Sequence, residues 1–235
     1  MNVLTSIATF YKQGGMFMHA VLVIAVFITA IVFERMIVIG RAAALNGRKL
    51  TNDLVKSLQV GDLKKANYLS QKSNAPVAQV AQRMLEAGTT DEAALQSAAD
   101  DAATLALPEL TRRLSYLGVL ANSATLIGLL GTITGLITAI AGVGVADAAQ
   151  RSAYLSAGIS EALHTTAFGL VIAIPTLMIQ GWLNGRVESV AQDVDEMSIR
   201  LSRALAESSY GRGTGPALAG RLGTDDALHR AAADR

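Results

Sequence analysis

Three stretches of this chain run with at most one charge for longer than a soluble helix tolerates. No Asp, Glu, Lys or Arg lies between Lys12 and Glu34, or between Arg113 and Asp147, and Glu161 is the only one between Arg151 and Arg186. Spanning a bilayer takes about 20 consecutive, mostly apolar residues. Each window is long enough. Helices of a soluble bundle carry a charged face at helical spacing, and these windows have none. The first window is also too long for the apolar region of a cleaved signal peptide, which runs about 7–15 residues behind a basic stretch. The reading is an all-α integral membrane protein with three transmembrane helices. The overall apolar share, 51% of 235 residues, is ordinary and does not by itself show this. With no cysteine, disulfide and thiolate chemistry are excluded.

Basic residues near helix ends set topology, because they are retained in the cytoplasm. Arg41, Arg48, Lys49, Lys56, Lys64, Lys65, Lys72, Arg83, Arg112 and Arg113 lie between the first two windows. Arg186, Arg200, Arg203, Arg212, Arg221, Arg230 and Arg235 follow the third. The other side has Lys12 and Arg151. The amino terminus is therefore expected outside and the carboxyl terminus inside. Tyr11, Phe17 and Tyr154 suit the outer interface, and Trp182 the inner one.

The organisation expected is an amphipathic external segment over 1–15, a first span over 16–39 and a cytoplasmic helical segment over 40–113. A second span follows at 114–142, a short external loop at 143–155 and a third span at 156–184. A cytoplasmic helix over 185–210 and a mobile tail over 211–235 complete the chain. Breaks in the cytoplasmic segment are expected at Gly61-Asp62, Asn74–Pro76 and Gly88–Thr90. Thr89 and Glu92 have capping-box spacing. A long helix starting there should continue into the second span, bent at Pro108. Helices two and three thus gain long cytoplasmic extensions.

Small and polar residues recur along helix two at Ala121, Ala124, Gly128, Gly131, Gly135, Thr138 and Gly142. Alternating steps of three and four place them on one face, with Thr132 beside it. Helix three carries Ala162, Thr166, Gly169, Ala173, Thr176 and Gln180 in the same manner, with Thr165 adjacent. In lipid, small residues at a contact let backbones approach closely. Such faces pack together or line a narrow channel, and packing alone accounts for the glycines. Pro175 frees a carbonyl near Val171 and permits a kink. Glu161 is the sharpest single residue, because an ionisable group inside a membrane marks an ion path by default. A lower helix border would instead leave it among the outer headgroups. Glu161 and His164 have the spacing of half a di-metal carboxylate motif, but no second copy exists, and no metal is expected.

The run from Ala121 through Gly128, Gly131 and Thr132 to Leu136 resembles helix two of the MotA/TolQ/ExbB proton channel family. The run from Gly158 through Glu161, Thr166 and Gly169 to Pro175 resembles its helix three. The resemblance is strong over about 112–186, and three spans place it in the ExbB/TolQ branch. One departure is Ala124-Thr125, where the family often has Ala-Pro. The resemblance implies a homopentamer in the bacterial inner membrane, enclosing a dimer of a single-span ExbD- or TolR-like partner that supplies a membrane aspartate. It also matches Thr132 and Thr166 to the channel threonines and Glu161 to the helix-three glutamate.

The function implied is a proton-channel stator subunit that turns proton motive force into work on the cell envelope. That work is TonB-type transport, Tol-type envelope maintenance or gliding, through a TonB- or TolA-like protein. No cofactor and no nucleic acid enter this reading. The alternative is a non-conducting membrane scaffold. An intramembrane enzyme would have to rest on Ser156, Ser160 and His164, which form no convincing nucleophile–base pair. The charge asymmetry makes a direct prediction. A tag at Leu45 should be cytoplasmic and one near Ala148 external, and external labelling of the 40–113 segment in intact cells would reverse the orientation.

Overall fold

The computed structural model describes Tyr11 and residues 14–213, with side chains to Ser208. The described residues form seven helices and no strand: α1 (Gly15–Ala44), α2 (Gly47–Gln59), α3 (Leu63–Gln71), α4 (Pro76–Glu86), α5 (Glu92–Thr111), α6 (Leu114–Val145) and α7 (Arg151–Gly213). Three helical stretches are long and apolar enough to cross a membrane, within Gly15–Gln59, Glu92–Val145 and Arg151–Ser208. The chain divides into two compact units. One contains α1 up to Ile39 together with Thr111–Arg186, and the other contains Gly40–Leu110 and the chain from Val187. The expected external segment, save its last residues, and the expected tail, save its first, lie outside the described residues.

In the first unit, α6 buries Leu114, Leu117, Ala121, Ala124, Gly128, Gly131, Gly135 and Ala139. This is the small-residue stripe with one change. After Gly135 the row steps by four, so Ala139 takes the interior position and Thr138 is exposed, bonded to the carbonyl of Thr134 at 2.9 Å. A straight helix at 3.6 residues per turn drifts from a three–four alternation, which explains the step. The facing stretch of α7 buries Ala162, Thr165, Gly169, Ala173, Thr176 and Leu183. Thr165, rather than Thr166, holds the interior place, and Thr166 sits half-buried at the edge of the row.

The two helices are antiparallel and close. A Cβ on Gly169 would lie 2.7 Å from the carbonyl oxygen of Ala124, and one on Gly128 would lie 3.2 Å from the Thr166 Cα. One on Gly135 would meet the Ala162 Cβ at 3.1 Å. Toward the Leu114 end, the Gln180 side-chain amide donates to the Leu114 carbonyl at 3.1 Å, and its oxygen lies 3.0 Å from where a Cβ on Gly118 would be. Helix α7 runs through Pro175 without interruption. The connection between the helices is only 146–150, because α6 persists to Val145 and α7 begins at Arg151.

Helix two does not enter this unit as one continuous helix. Arg113 adopts a left-handed backbone (φ 72°) and separates α5 from α6. That conformation costs a non-glycine residue about 1–2 kcal/mol. One Arg113 guanidinium nitrogen reaches both carboxylate oxygens of Glu34 on α1, at 2.6 and 2.7 Å. Glu34 also accepts from Arg35 at 2.9 Å. The break thus aims a cation at α1, which the pattern of apolar residues does not foretell. Pro108 does not end the helix, and α5 continues past it to Thr111.

The second unit is a water-type helical core. Leu50, Leu54 and Leu58 of α2, Val77, Val80 and Met84 of α4, and Leu95 and Ala99 of α5 pack with Val194, Met197 and Leu201 of α7. Along this part of α7 the buried apolar residues Val187, Val190, Val194, Met197, Leu201 and Ala204 alternate steps of three and four, flanked by buried Ser198, Ser202 and Leu205, the period of a helical seam. Asn46 and Asp62 cap α2 and α3 through the amides of Lys49 and Lys65, and Pro76 opens α4, where its missing N–H costs nothing. At α5 the cap is Asp91, which accepts from the Ala94 amide at 3.3 Å. Thr89, the expected cap, instead accepts from the Asp91 amide at 3.2 Å. A carboxylate two residues nearer the helix outcompetes the hydroxyl for the orphan amide. Arg200 ties α7 to α2 by donating to Asn52 at 2.6 Å.

The tight seam predicts a graded glycine series. Gly169→Ala drives a methyl group into backbone and should cost about 1–3 kcal/mol. A Cβ at Gly181 would meet no other segment within 4 Å, so Gly181→Ala should be neutral or slightly stabilising. Thermal unfolding in detergent measures the difference.

Candidate functional site

The α6–α7 seam carries polar side chains on both of its edges, and they differ. On one edge the Thr132 and Thr166 hydroxyl oxygens are 2.5 Å apart. Thr166 donates to the Gly128 carbonyl at 2.9 Å, and Thr132 lies 3.2 Å from the same oxygen. Two hydroxyls hold two protons. With Thr166 donating to Gly128, the short contact is met by Thr132 donating to Thr166. Both protons are then engaged, and the pair presents lone pairs outward. Such a pair accepts from a protonated carboxyl or a hydrated proton as it stands. To hold a carboxylate, one hydroxyl must turn away from its partner. Gly128 is what permits the arrangement, since a side chain there would separate Thr166 from the carbonyl.

On the other edge, the start of α1 packs against the seam. Thr165 donates to the Gly14 carbonyl at 2.8 Å and lies 2.9 Å from the carbonyl of Glu161. A Cβ on Gly131 would meet Thr165 Cγ2 at 2.5 Å and the Phe17 Cβ at 3.4 Å. The Glu161 carboxylate lies against Gly15, occupying the place where a Cβ would go, and Gly15 has a left-handed backbone (φ 65°). Tyr11 stacks edge-on with His19 at 5.3 Å and with Phe168 at 6.4 Å. His164 Nδ1 is 2.6 Å from the Ser160 carbonyl, so that nitrogen carries a proton.

The three residues expected on one ion path therefore separate. Thr132 and Thr166 meet. Glu161 stands five residues before Thr166, about 140° around the helix, on the α1 edge. Of the remaining expected positions, Gly128, Gly131, Gly135, Thr165, Ala162, Gly169 and Ala173 lie in the seam. Thr138 and Pro175 are exposed in the single chain. Thr165 as the tie to α1, and Arg113 with Glu34, carry no signal in local spacing. Each depends on which neighbour faces the residue.

Membrane-length helices whose polar groups meet at one close-packed seam define an all-α membrane protein. The comparisons place it more narrowly. Residues 71–196 match the MotA/TolQ/ExbB proton channel family, and the chain belongs to that family. It is 23% identical over 198 residues to a putative biopolymer transport protein ExbB homolog of Methanothermobacter thermautotrophicus, covering 83% of this chain and 68% of that one. It is 32% identical over 107 residues to the Tol-Pal system protein TolQ of Haemophilus influenzae, covering 45% of this chain and 46% of TolQ. It is 35% identical over 97 residues to the biopolymer transport protein ExbB of Neisseria gonorrhoeae, covering 39% and 43%. The chain thus spans under half the length of these last two relatives. It is a membrane protein of the ExbB/TolQ branch, an energy-transducing subunit of proton-channel type.

Thr165→Val removes the hydroxyl that holds Gly14 and should cost about 0.5–1.5 kcal/mol, while Thr165→Ser should cost less. Thermal unfolding in detergent reads the loss, and the Thr132–Thr166 pair should be unaffected.

Proposed function

We propose that this chain is the stator subunit of a proton-driven inner-membrane motor of the ExbB–ExbD or TolQ–TolR kind. Five copies surround a dimer of a single-span partner, and the motor works on the cell envelope through a TonB- or TolA-like protein or in gliding. The amino terminus faces outward and the second unit lies in the cytoplasm, as the distribution of Lys and Arg favours.

The observation that carries this reading is the Thr132–Thr166 hydroxyl pair, fixed at 2.5 Å on the edge of the seam away from α1. No Asp, Glu, Lys or Arg lies between Leu114 and Val145, and Glu161 is directed to the opposite edge. The chain thus offers proton-solvating hydroxyls on that edge with no carboxylate of its own there. A carboxylate that loads and unloads protons has to come from another chain, which is what a partner's membrane aspartate supplies. Burial in a dry pore disfavours its charged form. Once neutral, the partner helix can move against the wall and meet the next subunit's pair. The membrane potential contributes about 2.3 kcal/mol per charge per 100 mV, so sustained work takes many protons. Glu161 acts in this scheme at the outer mouth, gathering protons or bracing the start of α1.

Thr166→Val keeps the side-chain shape and removes the hydroxyl. The oligomer should form and proton-dependent output should fall steeply, with Thr132→Val behaving alike. Thr166→Ser should retain much of the activity. Glu161→Gln should hurt less than either valine change. Output that follows shape rather than the hydroxyl, with Val milder than Ser, would favour the non-conducting scaffold instead.

A further inference from the structure

The edge of the seam that holds Thr132 and Thr166 continues as a polar row toward the Leu114 end of α6. Thr125 lies two turns before Thr132 on the same face, about 10 Å along the helix. It is half-buried, and its hydroxyl donates to the Ala121 carbonyl at 3.2 Å, so its oxygen can still accept. Asn122 lies three residues further and about 60° around the helix from Thr125, turned away from the packed row, and is exposed. Across the seam on α7, Gln180 crosses to Leu114 beside Gly118, and Asn184 is exposed one turn beyond. Leu117, Ala121 and Ala124 on the neighbouring face are buried, so these polar groups lie beside the packed row and not in it.

Asn122 makes the row informative. It sits six residues from Gly128, about 9 Å along the helix from the middle of the seam. That depth is within the hydrocarbon of a bilayer whose half-thickness is about 15 Å. An exposed amide at that depth cannot face lipid without a large cost. Close packing requires no such residue, because the backbone contacts of the seam are made by Ala121, Ala124 and Gly128.

We infer that Thr125, Asn122, Gln180 and Asn184 line a hydrated inner half-channel, by which a proton released at the Thr132–Thr166 pair leaves toward the Leu114 end of the helix. This rests on the proposed role of that pair. The hydroxyl, the two amides and the final asparagine supply donors and acceptors in sequence for a file of water, and none carries a charge that would hold the ion. Release needs that weakness, since a site that binds tightly does not conduct. The departure from the family's Ala-Pro at Thr125 acquires a purpose here, because proline offers no hydroxyl at this point of the row.

The natural chain has no cysteine, so single cysteines can be read without background. The test uses the full-length chain in inside-out vesicles of its own membrane and a small cationic methanethiosulfonate reagent. A thiol reacts as thiolate, which forms in water and not in lipid or in a dry seam. Asn122→Cys and Thr125→Cys should be modified roughly tenfold or more faster than Val119→Cys and Leu130→Cys, which bracket them along the helix on the exposed apolar face of α6. Asn122→Leu should lower proton-dependent output several-fold while the oligomer persists on native electrophoresis. Rates at 122 and 125 equal to those at 119 and 130 would overturn the half-channel. So would loss of the oligomer in Asn122→Leu together with an unreactive thiol in Asn122→Cys, which would make Asn122 a contact between copies. The threonine pair is judged separately. If Thr166→Val abolishes output while the thiol of Asn122→Cys stays unreactive, the pair stands and the half-channel falls. If Thr166→Val leaves output intact, both fall, whatever the reactivity at position 122.

Discussion

The close approach of two backbones at Gly128 and Gly169 is the constraint from which the membrane unit follows. Lipid offers helices little hydrophobic reason to associate, so contact must come from van der Waals packing at short range. Here the Ala124 carbonyl lies 2.7 Å from the space a Gly169 side chain would need. The same approach brings the Gly128 carbonyl within 2.9 Å of the Thr166 hydroxyl. Packing and polar chemistry are therefore one feature. Alanine at Gly128 would press on the Thr166 backbone at 3.2 Å, so the contact that packs the helices also sets the spacing of the hydroxyl pair.

Much of this is legible because a membrane helix has few ways to use glycine. The alternation of three and four from Ala121 to Gly135 predicts the buried face of α6 residue by residue. What spacing leaves open is phase and partner. Thr165 and Thr166 are adjacent, and either completes a stripe with Ala162 and Gly169. Only the start of α1, meeting Thr165 at Gly14, settles which is interior. Spacing groups Glu161 with the threonines because it stands in the same window, yet five residues of helix turn it to the other edge. The break at Arg113 is invisible for another reason. No glycine or proline marks it, and its compensation is an ion pair with Glu34, far away in sequence. The cap at α5 lies two residues from the expected one, because Thr89 and Asp91 both have caps' chemistry and the nearer carboxylate prevails.

The two edges of the seam divide the labour. The α1 edge is tied by Thr165 to Gly14, by Phe17 against Gly131 and by the Glu161 carboxylate against Gly15. These contacts fill the space on this edge and engage the Thr165 hydroxyl. The opposite edge keeps half-buried, hydrogen-bonded hydroxyls and leaves the amides of Asn122 and Asn184 exposed. In lipid such groups need protein or water. That requirement, more than any one residue, is why the proposed assembly places this edge toward an enclosed interior and leaves the apolar faces, such as Val119, Leu130 and Ile137, to lipid or to packing between copies.

The energy scale then assigns the moving part. A membrane potential provides about 2.3 kcal/mol per charge per 100 mV. Separating the α6–α7 seam would give up close backbone packing together with the Gly128–Thr166 bond, and a net hydrogen bond alone is worth about 0.5–1.5 kcal/mol. Turning a single threonine hydroxyl costs no more than that and is reversible at each proton. The seam is accordingly the fixed wall of the proposed motor. The displacement belongs to the chain that carries the carboxylate, and the hydroxyl pair acts as the contact that distinguishes its charged from its neutral state.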